Sequence, residues 1–443
     1  MATNFLADMP ADDRRAVMTH PVQQACVELL GKLIRELRGC RTFEQFDNFQ
    51  RRLFQYVLEV ESHWGEVRRC QKRLLRGKAL TFDATKLPEG SDPQDPWMWH
   101  IEDLVAERMC RQFRAIGDAL AWRASGNDRS YILALNYNAA PGPMTSKEGV
   151  GYELRAVTDM RARGQFGLLH DLTNCLRIAD ITEFDTDGGK LLYEIKKNPN
   201  AKRGPQLRRM AAAVEAVMSG GELPNLPGSA FARPSTRCRT HIRSFASVIR
   251  EAQQHAIASV PLPGRRAIVA MSASPVNQSG KDVQGVLDEW TRRRFEALQL
   301  AGALHTAHHI TLSSAVRNHN LVPWIIPFAL YPLPPEDCAL LICDYILFEV
   351  IMDLESLVQA LARQDITAES HLEHAAATLQ PTDTVLSLRK GSRGMTLTQG
   401  ALYELMMEFY EVNTWAAAIA EVLDNPASPK HPVLAFSTTR VWR

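Results

Sequence analysis

From about Pro21 to Leu80 apolar residues recur at three- and four-residue spacings, as in CVELLGKLIRELRGC and FQRRLFQYVLEVESHW, with charged residues between them. That period predicts amphipathic helices. KLPEGSDPQDPWMW, residues 86–99, gathers prolines, Gly90 and acidic side chains and reads as a connecting loop. Beyond it, IEDLVAERMCRQFRAIGDALAWRAS is again helical, YILALNY is a candidate strand, and NAAPGPMTSKEG is a loop. Ser146 is placed to cap a following helix, VGYELRAVTDMRAR, with Glu148 in its first turn.

The alternation then changes to that of strands. LRIADITEF and LLYEIKK flank DTDGGK, whose Asp187, Gly188 and Gly189 suit the positive φ angles of a tight hairpin. Helices are expected from Pro205 to Met218, from about Ser244 to Ala258 and over DVQGVLDEWTRRRFEALQLA. RRAIVAMSAS is expected to be a strand, VPWIIPFALYPLPPED to return to β structure, and the remainder to be mostly helical.

In a strand, residues two apart share a face, so Glu194 and Lys196 point the same way. With the hairpin centred on Asp187, Asp180 falls directly opposite Glu194. Facing carboxylates destabilise a sheet unless a cation sits between them, and hard oxygen ligands suit Mg²⁺ or Mn²⁺. Lys196 beside such a cation would orient or deprotonate a water and steady charge developing on a phosphodiester under attack. A slip of one residue would set Ile195 against Asp180 and remove the arrangement. Glu183 and Asp185 are rival ligands, disfavoured by parity and by closeness to the turn. An amphipathic ribbon with Glu194 and Lys196 merely solvated is the alternative.

Asp180 followed, after a hairpin-length gap, by Glu194, Ile195 and Lys196 resembles the PD-(D/E)xK nuclease superfamily, with Ala179 where the motif has proline. GVGYE resembles that family's glycine-containing helix start, whose glutamate corresponds to Glu153. Gln206 resembles the glutamine of the helix after the lysine strand. The likeness covers roughly residues 145–218. It implies an α/β, restriction-endonuclease-like core with a central mixed β-sheet, flanked by a helical N-terminal region and a mostly helical C-terminal region. The corresponding divisions are 1–95, 96–320 as the core, and 321–443 as a C-terminal accessory α/β region. It further implies that Asp180, Glu194, the Ile195 carbonyl and Glu153 hold Mg²⁺ or Mn²⁺, that Lys196 assists the water, and that Gln206 supports the lysine or a phosphate. The function implied is a metal-dependent nuclease acting on DNA rather than RNA, with bacterial defence or restriction as an associated role. A non-catalytic nucleic-acid-binding or assembly subunit with a nuclease-like core is the alternative.

The 443 residues carry a net charge of only +1, so a polyanion must be held by a local patch. Lys197, Lys202, Arg203, Arg208 and Arg209 supply one beside the hairpin, in position to hold phosphates without reading bases, and Arg233, Arg237, Arg239 and Arg243 extend it. Eight cysteines without a CxxC pair argue against a zinc ribbon. His305, His308 and His309 lack carboxylate company, and His170 and Asp171 read as turn or packing residues. The N-terminus lacks the pattern of a signal peptide, and ALLICDYILFEVIM is too short and too charged to span a bilayer, so a cytoplasmic protein is expected, without a membrane partner but with a homo-oligomer or partner protein open. No GxxxxGK[ST] loop, GxSxG elbow or HExxH helix is present.

Overall fold

Each of the long N-terminal helices starts on its own sequence signal. Pro21 occupies the first turn of Pro21–Gly39, Thr42 and Gln45 form a reciprocal capping box at the start of Phe43–Leu74, and Asp95 accepts from Trp97 N at 2.9 Å ahead of Pro96–Ala124. The computed structural model describes residues 9–78, 80, 82, 87, 92–137, 142–195, 204–226, 228–273, 283–303, 309–314, 324–371, 383–425 and 431–434. In chain order, the helices are α1 (Ala11–Thr19), α2 (Pro21–Gly39), α3 (Phe43–Leu74), α4 (Pro96–Ala124), α5 (Arg129–Leu135), α6 (Val150–Ala162), α7 (Pro205–Ser219), α8 (Ile242–His255), α9 (Val283–Leu300), α10 (Pro335–Ile342), α11 (Leu354–Ala362), α12 (Gln399–Met407) and α13 (Val412–Asp424). The strands are β1 (Phe166–Leu169), β2 (Ile181–Phe184), β3 (Lys190–Tyr193), β4 (Ser229–Ala232), β5 (Ile257–Leu262), β6 (Arg266–Ser272), β7 (His309–Ser313), β8 (Ile346–Asp353), β9 (Thr367–Ser370), β10 (Thr384–Lys390), β11 (Arg393–Thr398) and β12 (His431–Leu434).

The protein is therefore mixed α/β, but the strands form four small sheets, ordered β1-β2-β3, β5-β6-β8-β7, β11-β10-β9 and β12-β4. The first three are antiparallel throughout and β12-β4 is a parallel pair, so among the described residues no sheet mixes the two senses. This corrects the expectation of one central mixed sheet. Short hairpin connections join β2 to β3 and β5 to β6, whereas mixing needs crossovers back into the same sheet. The expected boundary at 320 falls between β7 and β8, which pair with each other, and β12 returns to pair with β4. One apolar cluster runs from Cys26 and Leu30 of α2 through Phe166 and Ile181 to Val433.

Four local expectations are corrected. YILALNY is not a strand but most of α5, whose seven residues are all buried and whose first turn is capped by the Asp128 carboxylate, accepting from Tyr131 N at 3.3 Å. VPWIIPFALYPLPPED contributes the 3₁₀ turn Phe328–Leu330 and the start of α10, because its prolines lack the N–H that a strand needs. Ser146 ends the 3₁₀ turn Met144–Ser146 and does not cap α6, whose N-cap is Gly149. The C-terminal region is not mostly helical, since β8 to β12 are interleaved with its helices. Among the described residues no helix is long and apolar enough to cross a membrane.

Candidate active site at the β2-β3 hairpin

The hairpin has the expected register. Ile181 pairs with Tyr193 and Phe184 with Lys190, a spacing that would set Asp180 against Glu194 if it continued by one step. The paired ladder itself ends at Ile181 and Tyr193: Asp180 N also donates to Tyr193 O at 2.9 Å, so Asp180 and Ile181 both face Tyr193 as at a bulge, while Asp180 O accepts from His170 N at 3.0 Å. The turn is closed by Asp185, whose Oδ1 accepts from Asp187 N at 3.0 Å and from Gly189 N at 2.6 Å, with Gly188 at φ 86°. That role removes Asp185 as a ligand. Glu183 is engaged by Arg163 Nη2 at 3.0 Å and by the Tyr193 hydroxyl. Both rivals to Asp180 are thus spoken for.

Ala179 has φ 78°, in the left-handed region. A proline holds φ near −65°, so the proline of the nuclease motif is incompatible with this backbone. The alanine departure therefore has a conformational cause, and the strained residue sits immediately before the key aspartate.

Three further segments are brought to Asp180 by helices remote in sequence. From α3, the Glu61 carboxylate accepts from Met144 N at 2.6 Å and Thr145 N at 3.1 Å, fixing the turn that precedes Lys147. From α4, Arg114 binds Glu61 at 2.6 Å and donates to Gly142 O at 3.0 Å and Asp171 O at 3.2 Å. Asp118 of α4 accepts from Asn174 N at 2.6 Å and Cys175 N at 2.9 Å. Gly117 lets this loop lie directly on α4, since a Cβ there would stand 1.8 Å from Leu172 O. Gln50 of α3 donates to Gly167 O at 2.7 Å and accepts from Leu169 N at 3.0 Å, covering the outer edge of β1.

The outcome is a cation among acids. Lys147 Nζ lies 2.7 Å from Glu153 Oε1, 2.8 Å from Asp171 Oδ2 and 3.3 Å from Asp180 Oδ1. The other Asp180 oxygen accepts from Ile195 N at 2.7 Å, which orients the carboxylate. Burial pulls the Lys147 ammonium toward lower pKa, but hydrogen bonds to Asp171 and Glu153 and the charges of Asp171 and Asp180 outweigh it and raise it. Glu153, in the first turn of α6 and only 3% exposed, is raised by burial despite its bond to Lys147, and Asp171 and Asp180 push it the same way. His170 is buried and pulled down to about 3 by desolvation and by Arg177, and its Nε2 lies 2.7 Å from Thr182 Oγ1, which also meets the Tyr131 hydroxyl. It is a neutral packing residue beside the site.

Of the sequence-derived residues, Asp180 and Glu153 are thus gathered at one point; the Ile195 group that meets Asp180 is its N–H rather than the carbonyl expected as a ligand, and half-buried Glu194 lies between Tyr193 and Ile195. Gln206, in the first turn of α7, donates to Arg177 O at 3.5 Å, the loop just before Asp180, and no bond joins it to the carboxylates. Arg209 lies over the Tyr137 ring at 4.3 Å, and Arg208 is exposed. Arg233, Arg237, Arg239 and Arg243 are all exposed, and Arg233 donates to Ser130 Oγ at 3.2 Å and Val217 O at 3.0 Å. His309 Nε2 sits 2.7 Å from Ala303 O. Lys196, Lys197, Lys202, Arg203, His305 and His308 lie outside the described residues.

Lys147 and Asp171 are the residues that sequence reasoning missed as site members. The available signal was local: TSKEGVGYE places a lysine six residues before Glu153, and HD follows the strand that leads into the hairpin. No family model, curated protein or solved structure matches the chain.

Proposed function

We propose that the protein is a metal-dependent nuclease that hydrolyses phosphodiester bonds of nucleic acid, DNA by analogy with the superfamily its hairpin resembles. The observation that carries this reading is the convergence of Glu153, Asp171 and Asp180 on a single cation, at 2.7, 2.8 and 3.3 Å, beside the hairpin whose last paired residue, Tyr193, is followed by Glu194. An all-carboxylate oxygen set suits Mg²⁺ or Mn²⁺. Among the described residues no group of three or more His, Cys, Asp or Glu is drawn tightly enough to hold a metal ion, as expected of carboxylates spaced around an ammonium rather than at the ~2.0–2.1 Å of Mg–O bonds. The donor chemistry fits; the spacing is that of the present partner.

In this reading Asp180, Glu153, Asp171 and Glu194 hold the ion, and Asp180 is kept in orientation by Ile195 N. A divalent cation there would supply Lewis-acid polarisation of the phosphate and an acidified water. Lys196 follows Glu194 in the motif and is assigned the proton-handling role. Exposed Arg208, with Lys197, Lys202 and Arg203, is assigned to the phosphate backbone.

The test is cleavage of plasmid DNA, single-stranded DNA and RNA by wild type, Asp180→Asn and Lys196→Ala in Mg²⁺, Mn²⁺ or EDTA. Cleavage that needs the metal and falls roughly 100-fold or more in each variant supports the reading. Folded wild type that cleaves none of the three substrates returns weight to a binding or assembly subunit, the reading that an ammonium at the centre of the acids also favours.

A further inference from the structure

Three carboxylates meeting one ammonium leave the cluster two charges short of neutral when all are ionised. A divalent ion at the same point would balance the acids better than a monovalent one. The ammonium is also the member of the cluster best able to leave. Lys147 follows a three-residue 3₁₀ turn and lies outside any helix or strand, and its side chain is 35% exposed, so the four-carbon stem has a route to solvent. The acids are held more firmly. Glu153 is anchored in α6 and 4% exposed along its side chain, and Asp180 is fixed by pairing on both sides and by the bond from Ile195 N.

Resting on the metal-dependent reading above, we infer that Lys147 is a tethered internal cation that occupies the metal's place in the resting protein and is displaced when a divalent ion binds, so that Lys147 and the metal exclude each other. Lys147 then does two things. It keeps like-charged carboxylates together before the metal arrives, and it raises the metal concentration at which the site fills. The backbone of the turn stays where Glu61 and Arg114 hold it, and only the side chain moves.

The probe is Mn²⁺ alone, added to the full chain and followed by the loss of the free-ion paramagnetic resonance signal. Lys147→Met is expected to bind Mn²⁺ roughly tenfold or more tightly than wild type, because a competing unit charge a few ångströms away has been removed. Asp180→Asn is expected to weaken binding in both backgrounds. A second arm needs no variant: acetylation of Lys147 in wild type, read by peptide mass, is expected to be slow without metal and to accelerate as Mn²⁺ fills the site. Weaker binding by Lys147→Met would make the lysine an organiser of the ligands and overturn the inference. Equal binding, or acetylation unchanged by Mn²⁺, would overturn it while leaving the metal-dependent reading intact. Absence of Mn²⁺ binding by wild type and Lys147→Met alike would overturn the reading itself, and the inference with it.

Discussion

Lys147 and Arg129 are each a single cation set among several carboxylates, but the Lys147 side chain is 35% exposed and that of Arg129 is 0% exposed. Arg129 lies 3.3 Å from Glu404 and 2.5 Å from Glu408, donates to Trp324 O, and stacks 5.3 Å from the Trp122 ring. Glu408 also accepts from Ile326 N at 2.9 Å. Burial pushes Glu404 well up, Arg129 pulls it back and Glu408 adds to the rise. The guanidinium hydrogen-bonds Glu408 and Trp324 O, pairs with Glu404 and stacks on Trp122, so it joins three segments, and such a cation cannot be exchanged without opening the core. The ammonium is a point charge on a flexible stem facing solvent. The same charge motif therefore serves as a permanent joint between α5 and α12 in one place and as a replaceable plug in the other.

The largest effect is expected at the joint. Arg129→Met should lower unfolding free energy by about 3–5 kcal/mol, since it strands two fully buried carboxylates. Urea unfolding measures it, and added Mg²⁺ should restore nothing. Replacing Glu404 and Glu408 by apolar residues in the same chain should recover much of the loss, because an apolar cluster of similar volume replaces a buried ionic one at little cost. A deficit below about 1 kcal/mol would erase the distinction between joint and plug.

A third cluster inverts the arrangement, with the anion at the centre. Glu102 of α4, 3% exposed, lies 3.0 Å from His20 Nε2 and 3.4 Å from His63 Nε2, and ties α4 to α3 and to the start of α2. Burial pushes its carboxyl up, but the bonds and charges of His20 and His63 prevail and bring it from 4.5 down to about 2. With the folded pKa depressed, the unfolded chain takes up the proton first as pH falls. The stabilisation is complete above about pH 4.5 and is lost toward pH 2. Glu102→Gln should therefore cost about 2 kcal/mol at pH 6, and its unfolding curve should converge on that of wild type as pH is lowered through that window. A deficit independent of pH would mean that shape, not charge, holds this junction.

What the sequence disclosed about these clusters follows from how local each one is. The hairpin was legible because Asp187, Gly188 and Gly189 mark a turn and a turn fixes register, so the pairs from Phe184–Lys190 to Ile181–Tyr193 follow by counting. Of the long helices, α2 and α3 were legible because one face of each is solvated. α5 was read as a strand because a seven-residue run buried on every side has no period to betray it. Lys147 and Asp171 sit in turns whose position is decided by Glu61, Arg114 and Asp118 on α3 and α4, far away in the chain. No spacing rule connects position 61 to position 147. Arg129 was hidden for the same reason, its partners lying beyond position 400. Chemistry carried by a turn of the backbone could be read; chemistry assembled by packing could not.

The smallest effect belongs to the plug, and it separates the two cations most cleanly. Lys147→Met in EDTA should cost only about 1 kcal/mol, because a partly exposed ammonium is paid for in water nearly as well as in the cluster, and what remains is repulsion among Glu153, Asp171 and Asp180. Half-exposed charges are screened by salt and buried ones are not. Raising NaCl from 50 mM to about 500 mM should therefore shrink the Lys147→Met deficit toward zero while leaving that of Arg129→Met unchanged. If both deficits ignored salt, Lys147 would be as sealed as Arg129, and an ammonium that cannot reach solvent cannot make way for a metal.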